Sequence, residues 1–476
     1  MSKFFLANQD SFFVQSSVEE FSSLMMSVEH TSVHSTRLRY KTYAMILVLY
    51  ALGWLFLESI VARDIHLAVR RDGHIGSGSA QDPFDASSAA RYDAILERFS
   101  EFTNFFYSPG IYETKGWYYR TRRTANPHCH HFGAGTDRTI IRLVDTSQAT
   151  ADGVIFAADY DATVDGFEVH DLTLDCNASG NPVFRDGIGA VAAINVIGNN
   201  LLFSNLKVEH FGTAKRGVEC FPIFCYAGPG HAFGQYHNIR LENSILTEPA
   251  SGNKDGLTCV VIGASSNARV DGEIVNCRFI HLKSDFSYSH AFGAPLCEGN
   301  EVMDCETGFY LEPDNRQPGI WTIRNNRFRG INAAAMVKWH PTGVLNTILF
   351  EDNNVVLESD PEPFSVALSV DDTGLGPGDQ RPAIAKIIFR NNLISQDEPS
   401  TEKAELIAGL TLVSPEAKFS VDELILENNV FRLPSGREMI ISPSPVVRNF
   451  IQHSNVDSNR AEVRVRDVHG NPLYSP

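Results

Sequence analysis

TIRNNRF (322–328), LFEDNNV (349–355), IFRNNLI (388–394) and ILENNVF (425–431) share one pattern: alternating apolar residues, a pair of Asn or Asp-Asn, then a second apolar run. Looser copies run backwards as EVMDCET (301–307), EIVNCRF (273–279), RLENSIL (240–246), LFSNLKV (202–208) and EVHDLTL (168–174). The first Asn or Asp of each copy falls at 171, 205, 243, 276, 304, 325, 352, 391 and 428. The interval varies while the motif holds. Short period-2 strands, broken by a turn residue and repeated every 20 to 40 residues with loops of uneven length, describe a β-solenoid. No single coil can bury its own apolar face, so the coils must stack.

A turn inside a coil leaves backbone groups unpaired, and a side-chain amide can satisfy them while bonding to its equivalent one coil away. The residue after the first Asn or Asp changes from Leu172 and Leu206 through Ser244, Cys277 and Cys305 to Asn326, Asn353, Asn392 and Asn429. The second half of the solenoid is therefore expected to carry the better Asn ladder. By the same alignment Cys277 should stack on Cys305, and Cys220 on Cys259.

Repeated strands with an Asn ladder give the chain a resemblance to the pectate-lyase-like superfamily, over roughly residues 64 to 460. The resemblance implies an all-β fold, a right-handed parallel β-helix, and a sugar polymer as ligand. Asp72-Gly-His-Ile-Gly-Ser-Gly-Ser-Ala-Gln-Asp-Pro-Phe84 resembles the segment leading into the first coil of secreted bacterial members. Tyr92, Ile95, Leu96, Phe99 and Phe102 then share one helical face, with Asp85 or Ser87 as N-cap, and such a helix would cover the open first coil. Particular family motifs are missing: there is no Asn-Thr-Asp, Gly-His-Gly or Arg-Ile-Lys of polygalacturonases, and Lys338-Trp-His-Pro341 stands where the Trp-Ile-Asp-His element of pectate lyases would be sought.

The 476 residues are 43% hydrophobic and 20% charged, with a net charge of −17. That balance opposes a nucleic-acid partner, which needs a surface that displaces counterions from phosphates. Eight cysteines are too sparse for a disulfide scaffold. His128-Cys-His-His131 lacks a second ligand group at a recognisable spacing and reads as a polar loop, so no metal site is assigned. Gly133-Ala-Gly135 lacks the third Gly of a dinucleotide fingerprint. Residues 44–57, AMILVLYALGWLFL, follow Arg37, Arg39 and Lys41 and read as an export signal with cleavage after Ala62, or as an uncleaved anchor. The expected organisation is an extension and signal at 1–62, a β-helix at 63–460 with its cap at 85–103, and a tail at 461–476. The β-helix domain is expected to be secreted, periplasmic or at the cell surface, monomeric, and without membrane contact unless residues 44–57 remain as an anchor.

Alternation along Gly308-Phe-Tyr-Leu-Glu and Ala334-Ala-Met-Val-Lys-Trp-His sets Tyr310, Glu312, Lys338 and His340 on an outer face, with Asp314 extending the stripe. These five are the candidate catalytic residues. Glu219, Asp285, Tyr288 and His290 are candidates for substrate binding, and Trp117, Tyr118 and Tyr119 for a sugar platform. Two chemistries are open. Glu312 and Asp314, two residues apart on a strand, have the wide separation of an inverting acid and base. Alternatively Lys338 or His340 abstracts the proton α to a uronate carboxyl, Tyr310 protonates the leaving oxygen, and calcium neutralises the carboxylate. A non-catalytic β-helix that binds glycans at a cell surface is the other reading.

Overall fold

The computed structural model describes residues 62–119, 128–145, 154–158, 163–181, 192–211, 218–227, 234–247, 256–264, 268–282, 288–290, 296–311, 320–338, 345–358, 364–371, 383–396, 406–413, 420–433, 441–442, 446–463 and 466–467. The chain divides into two compact units, Met1–Val61 and Ala62–Pro476, and every described residue belongs to the second. The expected export segment and most of the expected tail lie outside the described residues. No helix among the described residues is long and apolar enough to cross a membrane.

The strands form a right-handed parallel β-helix. Sheet A has 14 strands, from Phe84–Asp85 to Val446–His453, and sheet B has 11, from Gly110–Thr114 to Val430–Arg432. The remaining side is built by two shorter sheets, C with five strands (first Trp117–Tyr119, last Gly256–Ala264) and D with seven (first Tyr288–His290, last Arg466–Asp467). One coil shows the circuit: Ile320–Arg324 in sheet A, Arg327–Ile331 in sheet B, Ala333–Lys338 in sheet D. Each strand pairs in parallel with the equivalent strand of the next coil. Inward side chains stack in files, as in Ile323, Phe350 and Phe389, with Phe350 and Phe389 5.1 Å apart and nearly coplanar.

At the turn from sheet A to sheet B two neighbouring positions divide the labour. The first is left-handed in ten successive coils, at Asp171, Asn205, Asn243, Asn276, Gly299, Asn325, Asp352, Asn391, Asn428 and Ser454. Asn, Asp and Gly tolerate that conformation at small cost. The second points inward and builds the ladder: Asn300, Asn326, Asn353, Asn392, Asn429 and Asn455 are all buried. Asn353 is typical. Its Nδ2 donates to Asn392 Oδ1 (3.2 Å) and to the Ile323 carbonyl (2.9 Å), and its Oδ1 accepts from the backbone N–H and the Nδ2 of Asn326, each at 3.0 Å.

Two expectations need correction here. Asp304-Cys305 belongs to the next turn, after the sheet B strand Glu301–Met303, and the ladder position of that coil is Gly299-Asn300. Both turns require a left-handed residue, so a bare Asn or Asp cannot tell them apart. Cys277 therefore sits under Asn300, whose Oδ1 accepts its backbone N–H, while the Cys305 thiol faces the Phe279 carbonyl at another corner. The Cys220 position pairs with Thr258, not Cys259, because the strands align one residue away from the expected register, with Val218 and not Gly217 beside Gly256. That slip also sets Glu219 beside Leu257 and not beside Thr258.

The cap is helix α1, Ala89–Arg98, which buries Ala89, Tyr92 and Leu96. Its N-cap is Ser88; Asp85 instead pairs with Arg91 and accepts the Ser87 N–H at 2.9 Å. Phe102 falls beyond the helix, in the left-handed region. Under the cap Tyr92 Oη meets Tyr107 Oη at 3.0 Å, and Tyr107 Oη meets His131 Nδ1 at 2.7 Å.

Candidate functional site

Residues Glu312, Asp314, His340 and Asp285 lie outside the described residues. Glu219, Tyr288, His290 and Lys338 are placed by their backbone alone, as are Trp117, Tyr118 and Tyr119. Sheet D brings several of them into line: His290 pairs with Tyr310, Tyr310 with Met336, and Lys338 with Asp371 on the following coil. Phe309, Ala335 and Val337 enter the core as alternation requires. Tyr310, however, is only 6% exposed, and its neighbours Thr307, Ala333, Val366, Ser369, Ala408 and Thr411 are buried too. The expectation of a solvent-facing stripe at Tyr310 is thus corrected. Its file continues through Met336, half-buried, to Ser369 and Thr411, both buried.

The most complete constellation of acid and base side chains among the described residues lies on the outer face of sheet A. Glu168 and His170 stand two residues apart on one short strand, Glu168–His170, and so share a face. Parallel pairing sets His130 beside Glu168 and Phe132 beside His170. His170 Nε2 lies 2.8 Å from Glu168 Oε2, and His130 Nε2 is 4.0 Å from Glu168 Oε1. Burial alone would raise the Glu168 carboxyl, but the His170 hydrogen bond and the neighbouring imidazoles pull it below the usual carboxylate range. Burial lowers His130, against the pull of Glu168, and favours its neutral form. With Glu168 ionised, Nε2 of His170 must donate, which leaves the lone pair of a neutral ring on Nδ1. Among the described residues no group bonds that nitrogen. An imidazole held in one tautomer by a carboxylate is a general base, and the carboxylate stabilises the imidazolium it becomes.

An aromatic file fixes the ring. His66, Phe106, Phe132 and His170 stack along the sheet at 4.9, 5.2 and 4.9 Å, with interplanar angles of 19°, 18° and 12°. Their faces cover one another, so the file offers edges to solvent and orients His170; it is not a flat sugar platform. Ser204 follows His170 in register, but its hydroxyl is 3.0 Å from Glu242 Oε1, which leaves no nucleophile–base pair with His170.

On sheet B, Asp175, Glu209 and His210 have donor atoms within 4.8 Å of one another. Asp175 is 2% exposed, and Arg142 Nε (2.6 Å) occupies one oxygen while His210 Nδ1 (2.9 Å) and the Asn177 N–H (3.0 Å) occupy the other. Burial would raise this carboxyl, but His210 and Arg142 hold it down. Glu209 is bound by Lys207 Nζ at 3.0 Å. A guanidinium and an ammonium already neutralise these acids, so the group is an ion-pair network and a poor cation site.

Sequence reading missed the Glu168 pair, although EVHDLTL was one of the repeat copies. Its signal was present: an acid and a His at i and i+2 in a strand, with His130 one coil earlier.

No family model matches the chain, and no curated protein matches it. Solved structures do. A surface adhesin of Streptococcus pneumoniae is 11% identical, with 86% of this chain and 96% of that chain covered and a TM-score of 0.44. An endo-xylogalacturonan hydrolase from Aspergillus tubingensis is 11% identical over 81% and 99%, with a TM-score of 0.42. A family 28 exopolygalacturonase of Yersinia enterocolitica is 11% identical over 87% and 79%, with a TM-score of 0.39. Likeness at this level concerns the fold and assigns no activity. The class of protein is defined by the four parallel sheets: a right-handed parallel β-helix.

Proposed function

We propose that the protein is an extracellular or cell-surface β-helix that binds a polysaccharide along its outer face and cleaves it by general acid–base chemistry. The observation that carries this reading is the Glu168–His170 pair, a carboxylate-oriented imidazole beside His130 on a surface that continues over many coils. His170 is the base, taking a proton from water or from the carbon next to a uronate carboxyl, and Glu168 is its positioning residue. A second location for the same chemistry is the end of the sheet D strands, where Lys338 and Asp371 adjoin on consecutive coils. Glu312, Asp314 and His340 remain proposed with Lys338 as its catalytic set, and Glu219, Asp285, Tyr288 and His290 as substrate contacts.

The test is a panel of neutral and uronic-acid polysaccharides, followed both for new reducing ends and for the ultraviolet absorbance of unsaturated products. Glu168→Gln and His170→Phe should each lower turnover by about 10²–10⁴-fold with folding intact, because Phe continues the aromatic stack. If those variants stay active while Glu312→Gln or Lys338→Ala fails, the chemistry belongs to sheet D. If calcium neutralises the uronate carboxylate, a chelator should abolish the unsaturated products. Glycan binding without cleavage would make the protein a binding module. Its flat, repetitive C-terminal coils, lined by ion-paired rows on sheet A, are the feature that favours that second reading.

A further inference from the structure

The outer face of sheet A changes character along its length. In the first coils one outward file reads Asp64, Asn104, His130 and Glu168. In the last six coils the same file reads Leu296, Thr322, Leu349, Ile388, Ile425 and Ile451, each half-buried on the outside of the sheet. Two residues further along every strand runs a file of alternating sign: Glu298, Arg324, Glu351, Arg390, Glu427 and then His453. On the other flank lie Ile320, Thr347, Lys386, Glu423 and Asn449, and Ile320 is 56% exposed. An apolar centre between charged margins is the anatomy of a protein interface.

We propose that this face pairs with the same face of a second copy, the two β-helices running antiparallel. The order of charges selects the orientation. If the coils run in opposite directions, with the two-fold axis between the Leu349 and Ile388 strands, Glu351 meets the partner's Arg390 and Arg324 meets the partner's Glu427. Leu349 then packs on the partner's Ile388, and Thr322 on the partner's Ile425. If the coils run in the same direction, the two flanking files exchange at equal height, so Arg390 would meet the partner's Lys386 and Glu427 the partner's Glu423. Like charges would then face each other on successive coils, which disfavours that arrangement. Within the chain Arg324 already pairs with Glu298 at 2.8 Å and Arg390 with Glu351 at 2.6 Å. The antiparallel partner extends the central Glu351–Arg390 pair into a four-charge group.

Size sets the strength. Six strands about 4.8 Å apart and three outward residues per strand give a strip of roughly 24 by 13 Å, below the area of a standard stable interface. The dimer is therefore weak and concentration-dependent. Sedimentation of the full chain should show the average mass rising from one chain toward two between about 1 and 500 μM, as micromolar-range association requires. Ile388→Asp should hold it at one chain, and Arg390→Glu should weaken pairing while Glu351→Arg/Arg390→Glu restores it. Packed sheets lie about 10 Å apart, so a short bifunctional maleimide, not a disulfide, is the right probe of orientation. A mixture of Thr322→Cys and Ile425→Cys chains should cross-link, whereas neither should cross-link with itself, the like positions lying three strand spacings apart. A chain that stays monomeric throughout the range, or Thr322→Cys cross-linking to itself, would overturn the proposal. None of these readouts depends on polysaccharide cleavage.

Discussion

His131 is the residue whose environment differs most from water. It is wholly buried, with Phe105 and Phe156 at 4.9 and 4.6 Å and the Tyr107 hydroxyl on Nδ1, and burial lowers its pKa from 6.5 to about 3. The folded chain then binds fewer protons than the unfolded chain between those values. The stabilisation is whole above pH 6.5 and drains away as pH falls toward 3, by about 1.4 kcal/mol per unit from this group. His131→Phe should lower stability at pH 8, since Tyr107 loses its partner, yet flatten the acid limb. Denaturant midpoints of both proteins from pH 8 to 4 provide the comparison. The neighbouring residues show what single letters reveal and conceal. His128-Cys-His-His131 reads as a polar loop, whereas Cys129–Phe132 is a strand with one imidazole in the core and one beside Glu168, a division that depends on strand alternation and on a partner 38 residues away.

The turn from sheet A to sheet B is the element on which the coil depends. Asn353→Ala would leave the Ile323 carbonyl and the Asn326 N–H buried without partners, a loss of about 2–5 kcal/mol. Asp352→Gly, one residue away, should be near neutral, because Asp352 is exposed and its left-handed backbone suits glycine. Chemical denaturation of the two variants checks the contrast. The motif copies were sufficient to predict the ladder, since a buried amide repeated in register has few other uses. They were insufficient at Asp304, where an equally left-handed corner imitated the motif, and at Gly299, where glycine did the same task without an amide. Bulges are similarly hidden: the extra residue between Cys220 and Ile223 leaves no mark in the alternation.

Across the whole molecule, Cys129, Cys176, Cys225, Cys277, Cys297 and Cys305 are buried thiols. Burial raises the Cys225 and Cys297 thiols, and Cys277 is pushed up to about 12. In the folded chain these six should therefore react slowly with a thiol reagent, and at least six thiols should appear on unfolding without reductant. Rapid labelling of any of these six in the native protein, or fewer thiols after unfolding, would contradict this packing. The fold was legible at this scale because repetition amplifies a weak signal, nine copies of a short pattern. The candidate site was harder to see, because Glu168 and His170 lie inside one of those copies and only the parallel register sets His130 beside them.

The amide ladder also has a direction. Every ladder Asn from Asn300 to Asn429 gives its backbone N–H and its Nδ2 hydrogen to the carbonyl oxygen of the next Asn in sequence, ending at Asn455. Each ladder backbone N–H is thus met only by the following coil, while the same amide reaches back to a carbonyl of the preceding one, as Asn353 does to Ile323. For a chain made from its N-terminus, the newest coil always presents unmet donors to the segment still being synthesised. The solenoid grows like a crystal with one active face, and Asn455 is the last molecule of the lattice to be laid down.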